Sequence, residues 1–123
     1  MNTDPRSIRR GEIWLASFDP AIGDEIRKKR PAVVLSSDSV GKLSLKLMAP
    51  MTEWKDTFAK WPWHVRVAPD PKNGLKKISS VDVLQVRGMD VRRFDTKLGA
   101  LTPAILDTIT DALAGVVEAP VGA

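Results

Sequence analysis

Short clusters of basic side chains are the first feature of this sequence that could do chemistry, because they suit phosphate groups. Lys and Arg number 19 against 15 Asp and Glu, which gives a formal net charge of +4. Contacts between such clusters and phosphates release counterions, which supplies the sequence-independent part of nucleic-acid affinity. A solvated surface rich in lysine would show the same pattern, so composition alone leaves both interpretations open. The clusters comprise Arg6, Arg9 and Arg10, residues 27–30, Lys76 and Lys77, and Arg92 and Arg93.

Three tryptophans, Trp54, Trp61 and Trp63, lie close together around Lys55 and Lys60. Aromatic rings among basic residues can stack on unpaired nucleotides, and each stack is worth about 1–3 kcal/mol. Tryptophans also anchor protein interfaces. Partial burial under a loop is the more common environment of any single Trp. The sequence leaves these three roles open.

His64 is the only histidine, and imidazole is the side chain best suited to moving protons near neutral pH. It lies in a segment of alternating apolar and polar residues, which favours a structural or surface position over a catalytic one. Cysteine is absent, which excludes disulfides and thiolate zinc sites. Carboxylates are not clustered at metal-ligand spacing. We therefore expect neither a metal nor another cofactor.

The length of 123 residues fits one domain. We place it at residues 9–117, between a flexible N-terminal tail at 1–8 and a C-terminal tail at 118–123. No apolar run approaches the roughly 18 residues of a membrane span, and the polar N-terminus lacks the apolar stretch of a signal peptide. We expect a cytoplasmic protein that contacts no membrane.

Short strand patterns alternate with loops over most of the chain. Strands are predicted at residues 11–18, 31–36, 43–48 and 64–68, and a mixed apolar segment follows at 81–89. In the third, Leu43, Leu45 and Leu47 lie on one face, opposite Ser44 and Lys46. The connection at 19–30 is long and holds four basic residues with few apolar anchors, which is typical of a functional or mobile loop.

The last segment changes to a helical period. Thr102 can cap the free amides of a helix that begins at Pro103, where proline loses no hydrogen bond. Apolar residues then recur at three- and four-residue spacing and predict an amphipathic helix ending near residues 115–117. Five or more short strands with one terminal helix predict an α+β, mainly β fold, in which a small curved antiparallel sheet or barrel carries the helix. The apolar residues are Ile105, Ile109, Ala112, Leu113 and Val116.

Several spaced sequence elements resemble the MazF/PemK/Kid family of toxins. Residues 9–38 read RRGEIWLASFDPAIGDEIRKKRPAVVLSSD. That family opens with a G-E/D-I/V-W/Y strand, then D-P, a G-x-E loop, and R-P before an apolar strand ending in Ser. Residues 49–52 (APMT) are similar to its P-x-T, and residues 85–90 (QVRGMD) to its late Q-V-[RK]-x-x-D segment. The similarities keep their order over nearly the whole chain.

The resemblance implies an SH3-like barrel that forms a two-fold homodimer and binds single-stranded RNA in a groove across the dimer interface. It implies a metal-independent, sequence-specific endoribonuclease, the toxin of a type II toxin–antitoxin system, with a small acidic antitoxin of the MazE type as partner. The family's active-site residues correspond to Arg30 in R-P, Thr52 in P-x-T and, in G-x-E, Glu25. Further expected RNA contacts are Arg27, Lys28, Lys29, Trp54, Gln85 and Arg87.

In metal-free RNA cleavage the substrate's own 2′-hydroxyl attacks, so the protein must align it, stabilise phosphoryl charge and move protons. Arg30 suits the second task, because a guanidinium offers planar paired donors to phosphate and stays charged. Thr52 can donate one hydroxyl hydrogen bond. Arginine is a poor base at neutral pH, since its pKa lies above about 12. Glu25 is a candidate base, and the sequence leaves that role unassigned.

Two other functions fit the sequence. A binding-only toxin on the same barrel, like CcdB, which poisons DNA gyrase, would not need the pair Arg30 and Thr52. A plain single-stranded nucleic-acid binder would keep the basic surface without catalysis. The ambiguous proton-transfer groups keep this second alternative open.

Overall fold

The computed structural model describes residues 4–120, which form one antiparallel β-sheet with a C-terminal α-helix. Short 3-10 helices occupy several connections, including Asp56–Lys60 and Val83–Gln85. The strands are β1 (Glu12–Ser17), β2 (Lys29–Val34), β3 (Leu45–Glu53), β4 (His64–Val67), β5 (Ser79–Asp82), β6 (Arg87–Asp90) and β7 (Phe94–Ala100), and the helix is α1 (Pro103–Val116).

The sheet runs in the order β4-β5-β3-β2-β1-β7, and β6 pairs with the first half of β3. Strand β3 is therefore the central strand, with β2, β5 and β6 as partners. Among the described residues β4 and β7 are not paired with each other, so the sheet curves but stays open. The prediction of a mainly β, curved sheet with a terminal helix is confirmed, in its open form.

Residues alternate along the strands between two apolar clusters, one on each face of the sheet. Helix α1 covers the first face with Leu106 and Ile109, and Phe94 and Ile8 cover the second. The two clusters give the small domain a core on both sides of its sheet. The first includes Ile13, Val33, Met51, Val65 and Val81, and the second includes Trp14, Ala32, Val34, Met48 and Met89.

The helix begins and ends where its sequence pattern predicts. Pro103 is its first residue, and the Thr102 hydroxyl accepts a hydrogen bond from the Ile105 amide at 3.3 Å. The first amides of a helix have no carbonyl partner within it. The Thr102 hydroxyl provides one for Ile105, and Pro103 has no N–H that needs one. The buried Leu106 and Ile109 confirm the predicted apolar face.

The leucines at the start of β3 and just before it face solvent, although apolar residues are usually expected on the buried face of a strand. Leu43, Leu45 and Leu47 are exposed, whereas Lys46 is 2% exposed. Lys46 shares its face with Met48 of the second cluster, and its ammonium donates to the Gly41 carbonyl at 2.9 Å. The aliphatic stem can lie in an apolar core because the charged end still finds an acceptor. Alternation therefore predicts a two-faced strand without telling which face is buried.

Part of the expected N-terminal tail is packed. Pro5–Ser7 form a 3-10 helix, and Ile8 is 3% exposed within the second apolar cluster. The buried Ile8 fixes this segment to the domain, although the polar residues around it in the sequence are typical of a loose tail. Residues 1–3 and 121–123, also assigned to tails, lie outside the described residues. No helix in the described part of the chain has the length and apolar character needed to cross a membrane.

Candidate nucleic-acid interface

Arg30 and Thr52 lie at the point where β2 and β3 separate. The paired residues of these strands end at Ala32 and Pro50, and two residues further the same register places Arg30 across from Thr52. The next hydrogen-bonded position on β2 is Pro31, which has no N–H with which to extend the ladder. Beyond this point β3 continues with β5 instead, where Thr52 pairs with Ser80. The strand separation leaves an opening between the two candidate residues.

This opening is a depression of about 270 Å³ that both residues line. The long loop before β5 adds Lys76 and Lys77 to its wall. Lys76 and Lys77 belong to the sequence's basic clusters but were not predicted as site residues. Glu53 lies beside them, with its carboxylate 3.8 Å from the Lys77 ammonium. Both partners are well exposed, so this ion pair contributes little to stability. Glu53 balances one of the three positive charges of Arg30, Lys76 and Lys77, and the depression stays positive.

Arg30 is half-buried and held from one side. Its Nε donates to the Arg27 carbonyl at 3.2 Å. Since only Nε is used in this bond, the two terminal nitrogens can donate together to a phosphate. Thr52 is half-buried on the facing strand and can supply a hydroxyl donor. The arrangement can therefore bind an anionic phosphoryl group between two strands.

Glu25 lies in a different depression, of about 590 Å³, which Gln85 and Arg87 also line. Its carboxylate accepts a hydrogen bond from the Ile22 amide at 2.7 Å, which orders the tip of the loop between β1 and β2. The structure thus does not bring Glu25 into the depression that holds Arg30 and Thr52. Glu25 is exposed, and its role as a base stays a prediction.

Gln85 uses both ends of its amide inside the protein. Its Oε1 accepts from the Ile26 amide at 2.6 Å, and its Nε2 donates to Asp82 at 3.1 Å. The side chain thereby fastens the β1–β2 loop to the sheet. The guanidinium of Arg87 lies 6.0 Å from the centre of the Phe18 ring, a cation–π distance.

The remaining basic residues of the loop differ in their surroundings. Arg27, Lys28 and Lys29 are all exposed. Arg27 donates to the Gly23 carbonyl at 3.1 Å, and Lys29 forms an ion pair with Asp95 at 2.9 Å. Lys28 has a φ of 66°, and its amide donates to Asp19. Side-chain and backbone hydrogen bonds order this loop, and its charges face solvent.

The tryptophan-rich segment forms an aromatic cluster against the same sheet, comprising Trp54, Phe58, Trp61, Trp63 and His64. Phe58 stacks face to face on His64, with ring centres 3.8 Å apart. Trp54 is half-buried and meets the Phe58 ring edge-on. Trp54 and Trp63 are half-buried, as is common for a single Trp, whereas Trp61 is exposed.

His64 is held in place from two sides. Its Nδ1 and the Ser80 hydroxyl are 2.8 Å apart, and Phe58 covers one ring face. Burial lowers the pKa of His64 below its ordinary value, an effect that the negative charge of Asp82 partly opposes. Ser80, which pairs with Thr52 in the sheet, escaped the sequence analysis because only the strand register connects the two residues.

Within residues 4–120, no group of three or more His, Asp or Glu side chains lies together as metal ligands would. The family model of the PemK-like, MazF-like toxins of type II toxin–antitoxin systems matches residues 9–117. The chain belongs to this toxin family. The resemblance seen in the sequence is thus confirmed, and its motif residues Arg30 and Thr52 lie on facing strands of the toxin.

Three solved structures illustrate the similarity of the fold. At 24% identity, MazF from Deinococcus radiodurans superposes with a TM-score of 0.75, over 89% of this toxin and 96% of that chain. Mycobacterium tuberculosis toxin MazF-mt6 is 21% identical, with a TM-score of 0.70 over 87% of this toxin and 96% of that chain. An endoribonuclease from a mycobacterial species, in complex with its cognate antitoxin, is 19% identical, with a TM-score of 0.70 over 91% of this toxin and 96% of that chain. The likeness at these identities is one of fold.

The environment of His64 predicts a pH-dependent loss of stability. Because its pKa is lowered in the fold from an ordinary 6.5, the unfolded chain binds the proton more readily, and stability falls as pH drops below about 6.5. We expect the Tm of the toxin to decline from pH 7 to 5.5, and to decline less in His64→Gln, measured by circular dichroism. Equal declines in the two proteins would contradict this assignment.

Proposed function

We propose that the toxin is a metal-independent endoribonuclease that cuts single-stranded RNA at short sequence motifs. The observation that supports it best is the meeting of Arg30 and Thr52, which are distant in the chain, in one basic depression. A binding-only toxin needs no such pair of donors around one opening. Membership of the toxin family supports the same function.

In the proposed reaction the RNA supplies its own nucleophile. The 2′-oxygen attacks the adjacent phosphorus, the bond from phosphorus to the 5′-oxygen breaks, and a 2′,3′-cyclic phosphate and a 5′-hydroxyl form. Arg30 binds two phosphoryl oxygens and stabilises the charge that develops on them. Thr52 donates a hydrogen bond to one of these oxygens and helps to keep the phosphorus in line.

Two protons must move in this reaction: one leaves the 2′-hydroxyl and one reaches the 5′-oxygen. Glu25 is the proposed acceptor of the first. Because the 2′-oxygen lies next to the phosphorus that it attacks, this role requires the loop that continues into Arg30 to carry Glu25 into the depression of Arg30 and Thr52 when RNA binds. The proton for the 5′-oxygen is proposed to come from water. The neighbouring basic residues Arg27, Lys28 and Lys29 are proposed to bind the flanking phosphates. Gln85 and Arg87, together with Trp54, complete the proposed RNA contacts.

Cleavage of a long RNA in excess EDTA is the direct test. The sequence has no cysteine and one histidine, and we expect the toxin to cut as well with chelator as without it. Loss of cleavage in EDTA, with rescue by Mg²⁺ or Mn²⁺, would contradict the metal-free mechanism. Binding without any cutting would leave a nucleic-acid binder, and neither binding nor cutting would favour a toxin that acts by protein contact.

Substitution of either donor should slow the reaction and leave the fold intact. Arg30→Ala and Thr52→Ala are each expected to reduce the cleavage rate about 10²–10³-fold, with Arg30 the larger loss, because each removes a donor to transition-state charge. The matched controls Lys42→Ala and Thr96→Ala, both at exposed positions, should cut like wild type. His64→Ala should cost far less than Arg30→Ala. An inactive His64 variant beside an active Arg30 variant would reverse these roles.

We also propose that the toxin is a two-fold homodimer controlled by a small acidic antitoxin of the MazE type. The basic loop suits an acidic chain as well as it suits RNA, and a disordered segment that folds on binding can cover a large surface. RNA and antitoxin would then compete for the same groove, and salt would weaken both.

These partners predict two linked measurements. Light scattering at micromolar concentration should give twice the mass of one chain, because a two-fold groove needs both subunits. Titration of the acidic protein encoded beside the toxin into the cleavage assay should then displace RNA and stop cutting. A monomer that still cuts, or tight antitoxin binding that leaves both RNA binding and cleavage unchanged, would overturn the corresponding part of the proposal.

A further inference from the structure

Arg66 stands in the same lateral row of the sheet as Thr52. Thr52 pairs with Ser80 on β5, and Ser80 pairs with Arg66 on β4. Directly paired residues of antiparallel strands point to the same face, so these three share one face. Neighbouring strands lie about 4.8 Å apart, which places the Arg66 backbone about 10 Å from that of Thr52.

His64 and the Phe58 ring stacked on it border this row on the same face, whereas Trp63 packs against the first apolar cluster on the other face. The aromatic cluster therefore wraps around the start of β4. His64 lies two residues before Arg66 and hydrogen-bonds Ser80, so the cluster packs beside the middle of the row. Three backbone hydrogen bonds, each of 3.0 Å, fix the aromatic cluster further. The Trp61 amide donates to the Phe58 carbonyl, the His64 amide to the Trp61 carbonyl, and the Val83 amide to the Trp63 carbonyl. These bonds hold the rings in place before any ligand arrives.

Trp61 presents an aromatic surface to solvent. It is 42% exposed, whereas Trp63 beneath it is half-buried. The two rings are nearly parallel, at 7°, with centres 5.8 Å apart. A flat exposed ring backed by a second ring has the geometry on which a nucleobase can stack, because every base offers a π-face of similar size.

The charge around this surface is positive. Between Trp54 and Val67 the basic residues are Lys55, Lys60 and Arg66, all exposed, against one acid, Asp56. Within residues 4–120, none of the three basic residues is part of an ion pair. Their charge is therefore not neutralised within the described structure and can attract an anionic chain.

We propose that Trp61 and Arg66 form a nucleotide-binding subsite beside Thr52, in which Trp61 stacks on a nucleobase and Arg66 binds a phosphate of the same RNA strand. The subsite rests on the proposed ribonuclease function and extends it, because a strand whose scissile phosphate lies between Arg30 and Thr52 continues along the row to Arg66. The row also favours RNA over a protein partner, since it leads directly from the proposed point of cutting.

The two roles differ in how they depend on salt, and this separates them experimentally. The probe is a mixed-sequence 2′-O-methyl RNA oligonucleotide, which cannot be cut because its nucleophile is blocked. Its binding is measured by fluorescence anisotropy over a series of salt concentrations. For single strands, each phosphate contact contributes about 0.7 to the slope of log affinity against log salt.

Arg66→Gln should lower that slope by about 0.7, whereas the matched control Lys42→Gln, at an exposed position in the turn before β3, should leave it unchanged. Trp61→Ala should weaken binding about 5- to 150-fold with the slope unchanged, because stacking releases no counterions. Trp61→Phe should keep most of the affinity, since a ring remains. Arg66→Gln keeps the test valid if Trp61→Ala unfolds, because its expected loss of slope does not depend on position 61.

Wild-type slope and affinity in Arg66→Gln would overturn the subsite, and so would wild-type affinity in a folded Trp61→Ala. So would wild-type toxin that does not bind the oligonucleotide, or variants that lose antitoxin binding while keeping RNA affinity. Cleavage of unmodified RNA by the same wild-type sample is scored separately. Variants that behave as expected in a toxin that cuts no RNA would uphold the subsite and contradict the ribonuclease proposal.

Discussion

The arrangement of this toxin depends on how β3 divides its backbone hydrogen bonds. Its first half pairs with β2 on one edge and β6 on the other, and its second half keeps only β5. The change follows Pro50, the last residue of β3 that pairs with β2, and Pro31 on the facing strand has no N–H with which to continue that ladder. The opening between Arg30 and Thr52 lies directly beyond this point. A proline next to a candidate site residue therefore marks where two strands of the sheet separate.

The sequence predicts best what its local patterns determine. Thr102 and Pro103 mark the start of α1 because capping acts over a few residues. The toxin motifs place Arg30 and Thr52 in one site, and the two residues line one depression. Strand β7 was not predicted, since Phe94–Ala100 has only weak alternation and is ordered mainly by pairing with β1. The burial of the Lys46 side chain was not predicted either, because alternation of leucine and polar residues does not tell which face of the strand is buried.

The candidate site follows the same rule. Motif residues place Glu25 in the site by analogy, yet the loop carries it to another depression because Gln85 fastens Ile26 to the sheet. Lys76 and Lys77 reach the depression from a loop whose path the sequence does not reveal. Ser80 became visible only through its pairing with Thr52. Each of these placements depends on contacts between segments far apart in the chain, which periodicity and spacing do not encode.

In the second half of β3, residues of the apolar core alternate with residues of the candidate site. Met51 is 1% exposed in the cluster that α1 covers, while the next residue, Thr52, lines the basic depression. The needs of folding and of the proposed chemistry therefore fall on alternate residues of one strand. Under the proposed function, a change at Thr52 would disable the site in a chain that still folds, whereas truncation of Met51 would leave a cavity in the core. Neighbouring positions of one strand would then separate the loss of activity from the loss of the fold.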